Sequence, residues 1–201
     1  MISKTSRRQP GDVLAPFSVT TLSHGLLELP MRAPGAFTHL QFRRFAGCPI
    51  CNLHMRSFAA AQGRIEEAGI HTVAFFHSSA EAMRPYQGDL PFPVVPDLER
   101  RWYGHFGVEQ SVLAVAHPRV MLSAVRGLAS APSNPFAGEG GQRGLPADFL
   151  LDATGRVRAV HYGRHADDHW EVDDVIALAR SGRARDEREA VVPARGAVRP
   201  G

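Results

Sequence analysis

The sequence predicts an α/β fold in which helices flank a central sheet of mixed strand direction. The chain has 201 residues, 44% of them hydrophobic, which is enough for one well-buried core. Short apolar segments typical of strands alternate with segments of helical periodicity along most of the chain. The pattern then ends in a strand hairpin and a last helix, and this order is typical of a mixed α/β sheet.

Strands and a long helix alternate in the first half of the chain. The elements predicted there are an extended segment at 10–19, a hairpin turn at 23–25, a strand at 36–45, a helix from 49 or 51 to about 68, and a strand at 70–76. Leu53, Phe58 and Ile65 recur near the 3.6-residue period of a helix, which Gly69 ends. The β-branched and apolar residues after Gly69 are typical of a buried parallel strand.

The second half of the chain repeats the alternation and then closes the sheet. The elements predicted there are a helix to residue 87, a strand at 92–96, helices at 97–106 and 118–128, a loop at 129–144, strands at 147–151 and 157–162, and a helix at 172–180. Ser78 or Ser79 caps the first of these helices, with Glu81 in its first turn. Asp97 caps the next helix, and Gly107 ends it.

Composition and charge argue against a membrane span and against nucleic-acid binding. No apolar run approaches the ~20 residues that a membrane span needs, and no apolar stretch follows the basic N-terminus as in a secretory signal. We therefore expect a protein of the reducing cytoplasm. The net charge is only +3, and the arginines after Gly182 have no aromatic residues among them. The chain divides into a flexible N-terminus at 1–9, one domain at 10–180 and a flexible Arg-containing tail at 181–201.

Both cysteines of the chain lie in one motif, Gly47-Cys48-Pro49-Ile50-Cys51, where a predicted strand ends and a helix begins. This spacing is typical of a dithiol/disulfide redox pair. A thiol at a helix N-terminus faces the positive end of the helix dipole, which favours the thiolate of Cys48. Cys51 lies one turn further along the helix, close enough to attack a mixed disulfide formed on Cys48.

Two other interpretations of the cysteines stay open. Free cysteines pack as small hydrophobic residues, so an inert buried pair is one alternative. The other is a metal site, because the motif continues to His54 as C-x-x-C-x-x-H. His165 or His169 would then supply the fourth ligand.

Two arginines precede the motif on the predicted strand. Arg43 and Arg44 alternate between the faces of the strand, so at most one of them approaches Cys48 and lowers its pKa. Solvated or structurally paired arginines are the alternative. The other candidates are interpreted as structural residues: surface or interface histidines His161, His165 and His169, and core or interface aromatics Trp102 and Tyr103.

Four segments of the chain resemble one known family. They are the extended Pro10–Ser18, the active-site strand and helix start Phe42–His54, the segment Phe92–Val108 ending in Y-x-x-F-G-V, and the hairpin Leu145–Val157. On these segments the chain resembles the peroxiredoxin-like (AhpC/TSA) branch of the thioredoxin-like superfamily, over about residues 10–180. The resemblance implies a thioredoxin-like fold with a peroxiredoxin-type N-terminal extension. It also implies a cis proline at Pro146, facing the C-x-x-C.

One departure from the family pattern bears on function. Typical peroxiredoxins carry Pro-x-x-x-Thr/Ser-x-x-Cys, in which the hydroxyl helps to bind the peroxide. Counting back from Cys48 places Phe45 at the hydroxyl position and Gln41 at the proline position. The family therefore implies peroxide reduction, whereas these residues indicate dithiol/disulfide exchange more directly.

The sequence thus predicts a thiol–disulfide redox enzyme that reduces a hydroperoxide or a disulfide. Cys48 is the attacking thiolate and Cys51 the resolving thiol, while Pro49 and Ile50 set the redox poise and Pro146 supports the site. We expect no bound cofactor, no metal, no nucleic acid and no membrane; the reductant is thioredoxin or a low-molecular-weight thiol, and a homodimer is possible. The alternatives are a non-catalytic binding or redox-sensing module of the same fold and a Cys/His metal-binding protein.

Overall fold

The strands and helices follow the predicted order along the chain. The computed structural model describes residues 6–33, 35–110, 118–136, 138–139, 141 and 143–191. The strands are β1 (Phe17–Thr20), β2 (Leu26–Leu29), β3 (Phe37–Phe42), β4 (Ile70–Phe76), β5 (Val94–Pro96), β6 (Ala147–Asp152) and β7 (Val157–Tyr162). The helices are α1 (Pro49–Ala60), α2 (Gln62–Glu67), α3 (Ala80–Gln87), α4 (Arg101–Phe106), α5 (Pro118–Ser130) and α6 (Val172–Val191).

Among the described residues, five strands form the central sheet, in the order β5-β4-β3-β6-β7. β4 lies parallel to β3 and to β5, whereas β6 lies antiparallel to β3 and to β7. β1 and β2 form a separate antiparallel hairpin across the predicted turn. The mixed strand direction that the sequence predicts is therefore confirmed, and β3 is the central strand that leads into the cysteine motif.

The sheet separates two hydrophobic clusters, because successive residues of a strand face opposite sides. On β4, Phe75 lies in the cluster with Phe42 and Phe106, and the Phe42 and Phe75 rings stack at 4.7 Å. The neighbouring Phe76 lies in the other cluster, which includes Phe58 of α1. Burial on both faces explains why β4 reads as a continuous apolar run.

A buried polar network crosses the sheet below α1. The guanidinium of Arg43 donates to both carboxylate oxygens of Asp148, at 2.6 and 3.2 Å, and to the side-chain oxygen of Gln41. The ring nitrogen Nε2 of His39 lies 3.0 Å from Asp148. All four side chains are buried, so the network joins the end of β3 to β6 where water does not compete.

α4 begins at Arg101 and not at Asp97 as predicted, although the Asp97 carboxylate still accepts the N–H groups of Arg101 and Trp102. Three further local features differ from the predictions. The predicted helix at 49–68 is interrupted at Ala61 and forms α1 and α2. α6 continues past Arg180 to Val191, because Arg158 binds Asp186 and the carbonyl of Gly182 and thereby holds the extra turns. Residues 1–5 and 192–201, which the sequence places in flexible ends, lie outside the described residues, and the domain boundaries stay a prediction.

The third difference concerns Pro146, whose predicted cis bond is wrong. Among the described residues the cis peptide bond is Leu29–Pro30, and Leu145–Pro146 is trans. The N–H of Leu145 donates to Glu109 and the carbonyl of Pro146 accepts from Gly163, at 3.3 and 2.9 Å. These bonds hold the chain extended as it enters β6, and a trans bond continues an extended chain.

Within the described residues, no helix combines the length and the apolar character that crossing a membrane requires.

We expect the substitution Asp148→Asn to lower the free energy of unfolding by about 3–5 kcal/mol at pH 7, because it leaves Arg43 buried without its counter-charge. Burial raises the pKa of Asp148, but Arg43 and His39 outweigh burial and hold that pKa well below its usual range. The carboxylate therefore stabilises the fold above about pH 4 and loses this effect as the pH falls further. Urea titrations across this range should show the gap between the two proteins narrowing in acid.

The matched control is Asp173→Asn. Asp173 pairs with Arg64 at 2.6 Å, but the Asp173 side chain is 81% exposed, so we expect a loss below about 1 kcal/mol. Equal losses for both variants, or a gap that does not depend on pH, would contradict the role given to Asp148.

Candidate active site

The cysteine motif lies where β3 ends and α1 begins, as the sequence predicts. Cys48 is the N-cap of α1, and its Sγ accepts the backbone N–H of Cys51 at 3.4 Å. Pro49 occupies the first helical position, where its missing N–H costs no hydrogen bond. Ile50 is buried in the core and fixes the first turn of the helix. The motif therefore starts a helix with a sulfur atom at its positive end.

Two further groups surround the sulfur of Cys48. The thiol of Cys51 donates to Cys48 Sγ across 2.8 Å. Arg44 Nη1 lies 3.6 Å from the same sulfur, while Arg43 points to Asp148 on the other face of the strand. The prediction that only one of the two arginines reaches the thiol is confirmed, and that arginine is Arg44.

These contacts give the two thiols opposite acidities. Burial alone raises the pKa of Cys48, but the Cys51 thiol, the charge of Arg44 and the first N–H groups of α1 lower it to about 6. Burial, the hydrogen bond to Cys48 and the negative charge on Cys48 raise the pKa of Cys51 well above its usual value. Near pH 7 the pair therefore holds one thiolate and one thiol, which is the state needed for nucleophilic attack followed by resolution.

The two cysteines lie under a cover. Cys48 is 0% exposed and Cys51 is 2% exposed. The N–H of Asn134 donates to the carbonyl of Gly47 at 2.9 Å, and a side chain at Gly127 of α5 would collide with the carbonyl of Pro49. An oxidant therefore reaches Cys48 only when α5 or the residues that follow it move.

The metal alternative is only partly matched by the structure. His54 and His169 do come together, with ring centroids 3.7 Å apart, and Glu171 joins them as a possible three-ligand group. The cysteines are not in this group. Nε2 of His54 faces Arg43, which only donates, so the neutral ring carries its proton on Nδ1, and this nitrogen then has no lone pair for a metal.

Two of the structural interpretations are tested by these contacts. The side chain of His169 is only 6% exposed and its ring packs on His54, so a surface position is wrong for His169, whereas an interface position stays a prediction. His161 lies half-buried and pairs with Asp168 at 2.8 Å. Tyr103 is fully buried, which confirms the prediction of a core aromatic residue.

Two residues beside Arg44 were not among the candidates predicted from the sequence. His77 follows β4 directly, and its backbone N–H donates to the carbonyl of Arg44 at 3.3 Å. Arg100, before α4, interacts electrostatically with His77. His77 could have been found from the sequence. Parallel strands place their carboxyl ends at the same edge of a sheet, so the residue that follows β4 is expected near the residues that follow β3. The sequence offers no such indication for Arg100.

Comparison with known proteins places the chain in a family context. The profile of the AhpC/TSA antioxidant enzyme family matches residues 57–165, just over half of the chain. The matched range begins after the cysteine motif, so the roles of Pro49, Ile50 and the cysteines themselves stay predictions. Pro146 lies within the matched range, but the match does not test its role, which also stays a prediction. No curated protein matches the chain significantly.

Solved structures share the fold at low sequence identity. The reduced 2-Cys peroxiredoxin of Plasmodium vivax superposes with a TM-score of 0.66 and 12% identity, over 94% of this chain and 89% of that one. The peroxidoxin BcpB of Mycobacterium tuberculosis gives 0.63 and 15%, over 87% and 98%. AhpC of Mycobacterium tuberculosis gives 0.63 and 13%, over 90% and 96%. These similarities show the thioredoxin-like fold that the sequence predicts.

The substitution Arg44→Met should raise the pKa of Cys48 by about one to three pH units, because it removes the positive charge beside the thiolate. The ultraviolet absorbance of the thiolate, followed during a pH titration, measures this pKa without any reagent entering the site. The wild-type absorbance should rise around pH 6. Arg56→Met is the control, because Arg56 also lies on the α1 side of the site but pairs with Asp89. An unchanged titration in Arg44→Met would remove Arg44 from the site.

The substitution Gly127→Ala should increase the reactivity of Cys48 towards a bulky aromatic disulfide reagent. The added methyl group destabilises the packing of α5 against Pro49 by about 1–3 kcal/mol. The conformation in which α5 has moved away from the cysteines should therefore be populated roughly tenfold more often. The rate of thiol release measures this effect. Gly63→Ala is the control, because a side chain at Gly63 of α2 meets open space. Equal rates for both variants would show that the contact of α5 with Pro49 does not restrict access.

Proposed function

The chain belongs to the AhpC/TSA antioxidant enzyme family, and from this premise we propose that it reduces hydroperoxides through a Cys48–Cys51 dithiol cycle. The observation that carries the proposal is the contact between the two sulfur atoms, 2.8 Å apart, with a low pKa on one and a high pKa on the other. One sulfur is thus ready to attack, and the other is ready to resolve the product.

In the first step the Cys48 thiolate attacks the terminal oxygen of the hydroperoxide. An S–O bond forms as the O–O bond breaks, and the electron pair of the O–O bond leaves on the alkoxide, which takes a proton to become an alcohol. Cys48 is oxidised to a sulfenic acid. Arg44 lies at the attacking sulfur and would stabilise the negative charge during this transfer.

In the second step Cys51 attacks the sulfur of the sulfenic acid. An S–S bond forms as the S–O bond breaks, and the hydroxide that leaves takes the proton of the Cys51 thiol and departs as water. Both sulfur atoms lie in the first turn of α1, so this closure needs no unfolding of the helix. In the third step an external dithiol reduces the disulfide by thiol–disulfide exchange.

The reductant in this proposal is thioredoxin or a low-molecular-weight thiol. The outer face of α5, which covers the cysteines, exposes several large apolar side chains: Met121, Leu122, Val125 and Leu128. Such a face beside the dithiol suits contact with a protein partner. The same face could instead form the contact between two copies of the chain in a homodimer. A reducing compartment such as the cytoplasm would keep the two cysteines in the dithiol state for the next cycle.

Reduction of a disulfide in place of a peroxide is the second candidate. Phe45 is buried at the position where typical peroxiredoxins carry a hydroxyl, so the peroxide lacks that partner. The same dithiol performs disulfide exchange without it. The two functions differ in the molecule that oxidises Cys48, which is a hydroperoxide in the first and a disulfide in the second.

We expect hydrogen peroxide or an organic hydroperoxide to oxidise the reduced protein with second-order kinetics and a loss of two hydrogens. Stopped-flow tryptophan fluorescence follows the rate, and mass spectrometry locates the Cys48–Cys51 bond. Cys48→Ser should abolish the reaction, whereas Cys51→Ser should still consume one equivalent and stop at a sulfenic acid, which a dimedone-type reagent traps. Oxidation by a small disulfide alone would favour the second candidate. Unchanged peroxide consumption in Cys48→Ser would refute both.

A further inference from the structure

Three basic side chains gather behind Cys48, and the dithiol cycle uses only one of them. Arg44 contacts Cys48 Sγ, and the backbone of His77 is bonded to the backbone of Arg44. The adjacent Ser78 accepts the N–H of Ala46 at 3.0 Å, which holds the ends of the two strand extensions together. The side chains of His77 and Arg100 both contact the ring of Tyr103, but these contacts use none of their N–H donors.

His77 is buried without a hydrogen-bond partner. Its side chain is 0% exposed, and within the described residues neither ring nitrogen has a partner. Burial, followed by the charges of Arg100 and Arg44, lowers the pKa of His77 to about 3, so the ring is neutral and offers one N–H donor. Buried polar groups of this kind are rare, because leaving them unpaired costs free energy.

Arg100 shows the same feature in a strained backbone. Both terminal nitrogens of its guanidinium are buried, and neither has a hydrogen-bond partner within the described part of the chain. The guanidinium lies over the ring of Tyr103 at 4.7 Å. Among the described residues, Arg100 is the only non-glycine residue with a positive φ, 58°. Such strain persists where the surroundings fix a side chain in one direction.

His77 and Arg100 face a common point. A Cβ atom placed on Gly144 would lie 2.6 Å from Nε2 of His77 and 3.5 Å from Nη1 of Arg100. Gly144 belongs to the connection between α5 and β6, which also places Asn134 on Gly47. The two donors are therefore covered by the same connection as Cys48, at a residue without a side chain.

Within the described residues, no acidic group forms a hydrogen bond to the terminal nitrogens of Arg100. Asp97 interacts electrostatically with Arg100, but its carboxylate accepts the N–H groups of Arg101 and Trp102. Glu139 accepts the N–H of Ser79 in an exposed position. Within the described residues, Arg100 and the neutral His77 thus keep buried nitrogen atoms without partners that lie close to one place, which favours a ligand with a negative charge.

We propose that His77 and Arg100, next to Arg44, form an anion subsite that binds a carboxylate carried by the substrate. A planar guanidinium matches a carboxylate with two parallel hydrogen bonds, and the N–H of His77 adds a third. The preferred substrate is then an organic hydroperoxide with a carboxylate, which the subsite holds while Cys48 attacks the peroxide end. This inference rests on the proposed function, which supplies the reaction. The preference for a carboxylate is argued separately, from the positions of His77 and Arg100.

The test compares two hydroperoxides of the same carbon skeleton, one neutral and one with a terminal carboxylate. The wild-type protein should show at least about a tenfold higher kcat/KM for the carboxylate, because a charge-assisted hydrogen bond is involved. Arg100→Met should reduce the ratio to about one, and Arg100→Lys should restore part of it. Arg101→Met is the control: Arg101 adjoins Arg100 but lies over Trp102, and the ratio should not change.

A second measurement separates this inference from the proposed function. Acetate is titrated into the Cys48→Ser protein, which cannot turn over, and the His77 ring resonances are followed by NMR. Saturable shifts that Arg100→Met abolishes would support the subsite even if no peroxide reacts with the wild-type protein. Equal rates for the two hydroperoxides, with no acetate-dependent shift, would overturn the subsite while leaving the peroxidase proposal intact.

Discussion

A negative charge on a fully buried sulfur is the constraint on which the site depends. Burial opposes the Cys48 thiolate more than any other single influence, and it is outweighed only by several contacts acting together. The thiol of Cys51, the guanidinium of Arg44 and the first turn of α1 all supply positive partial or full charge to one atom. Each requires a fixed position of β3 relative to α1, so the chemistry of the sulfur depends on the rigidity of this junction.

Strand alternation separates the structural and chemical tasks of two adjacent arginines. Arg43 turns to the α1 face of the sheet, where Asp148 neutralises it and where it donates to His54 of α1. Arg44 turns to the opposite face and approaches Cys48. The first arginine thereby ties α1 to the sheet, and the second changes the acidity of the thiol at the start of the same helix. A shift of one residue in the strand would exchange the two roles.

Features that depend on a few neighbouring residues were predicted correctly from the sequence. The continuous apolar run of β4 and the cysteine motif at a strand–helix junction were both recognised, because periodicity and helix-capping are encoded within a few residues. The trans bond at Pro146, the burial of His169 and the left-handed backbone of Arg100 were not, because contacts distant in sequence determine each of them. The ring of His169, for example, packs on that of His54, which lies on α1, far earlier in the chain.

The acidity of Cys48 also influences how readily its disulfide is reduced. Contacts that stabilise a thiolate stabilise the reduced pair, because the charge disappears when the disulfide forms, and such pairs are stronger oxidants. Arg44 and the N-terminus of α1 therefore act twice: they provide the nucleophile for the oxidant, and they favour the return of the pair to the reduced state. In the proposed cycle, Cys51, whose pKa is raised, keeps its proton until the sulfenic acid forms on Cys48. One electrostatic arrangement thus supports both halves of the cycle, which is why the site needs no further cofactor in the mechanism proposed.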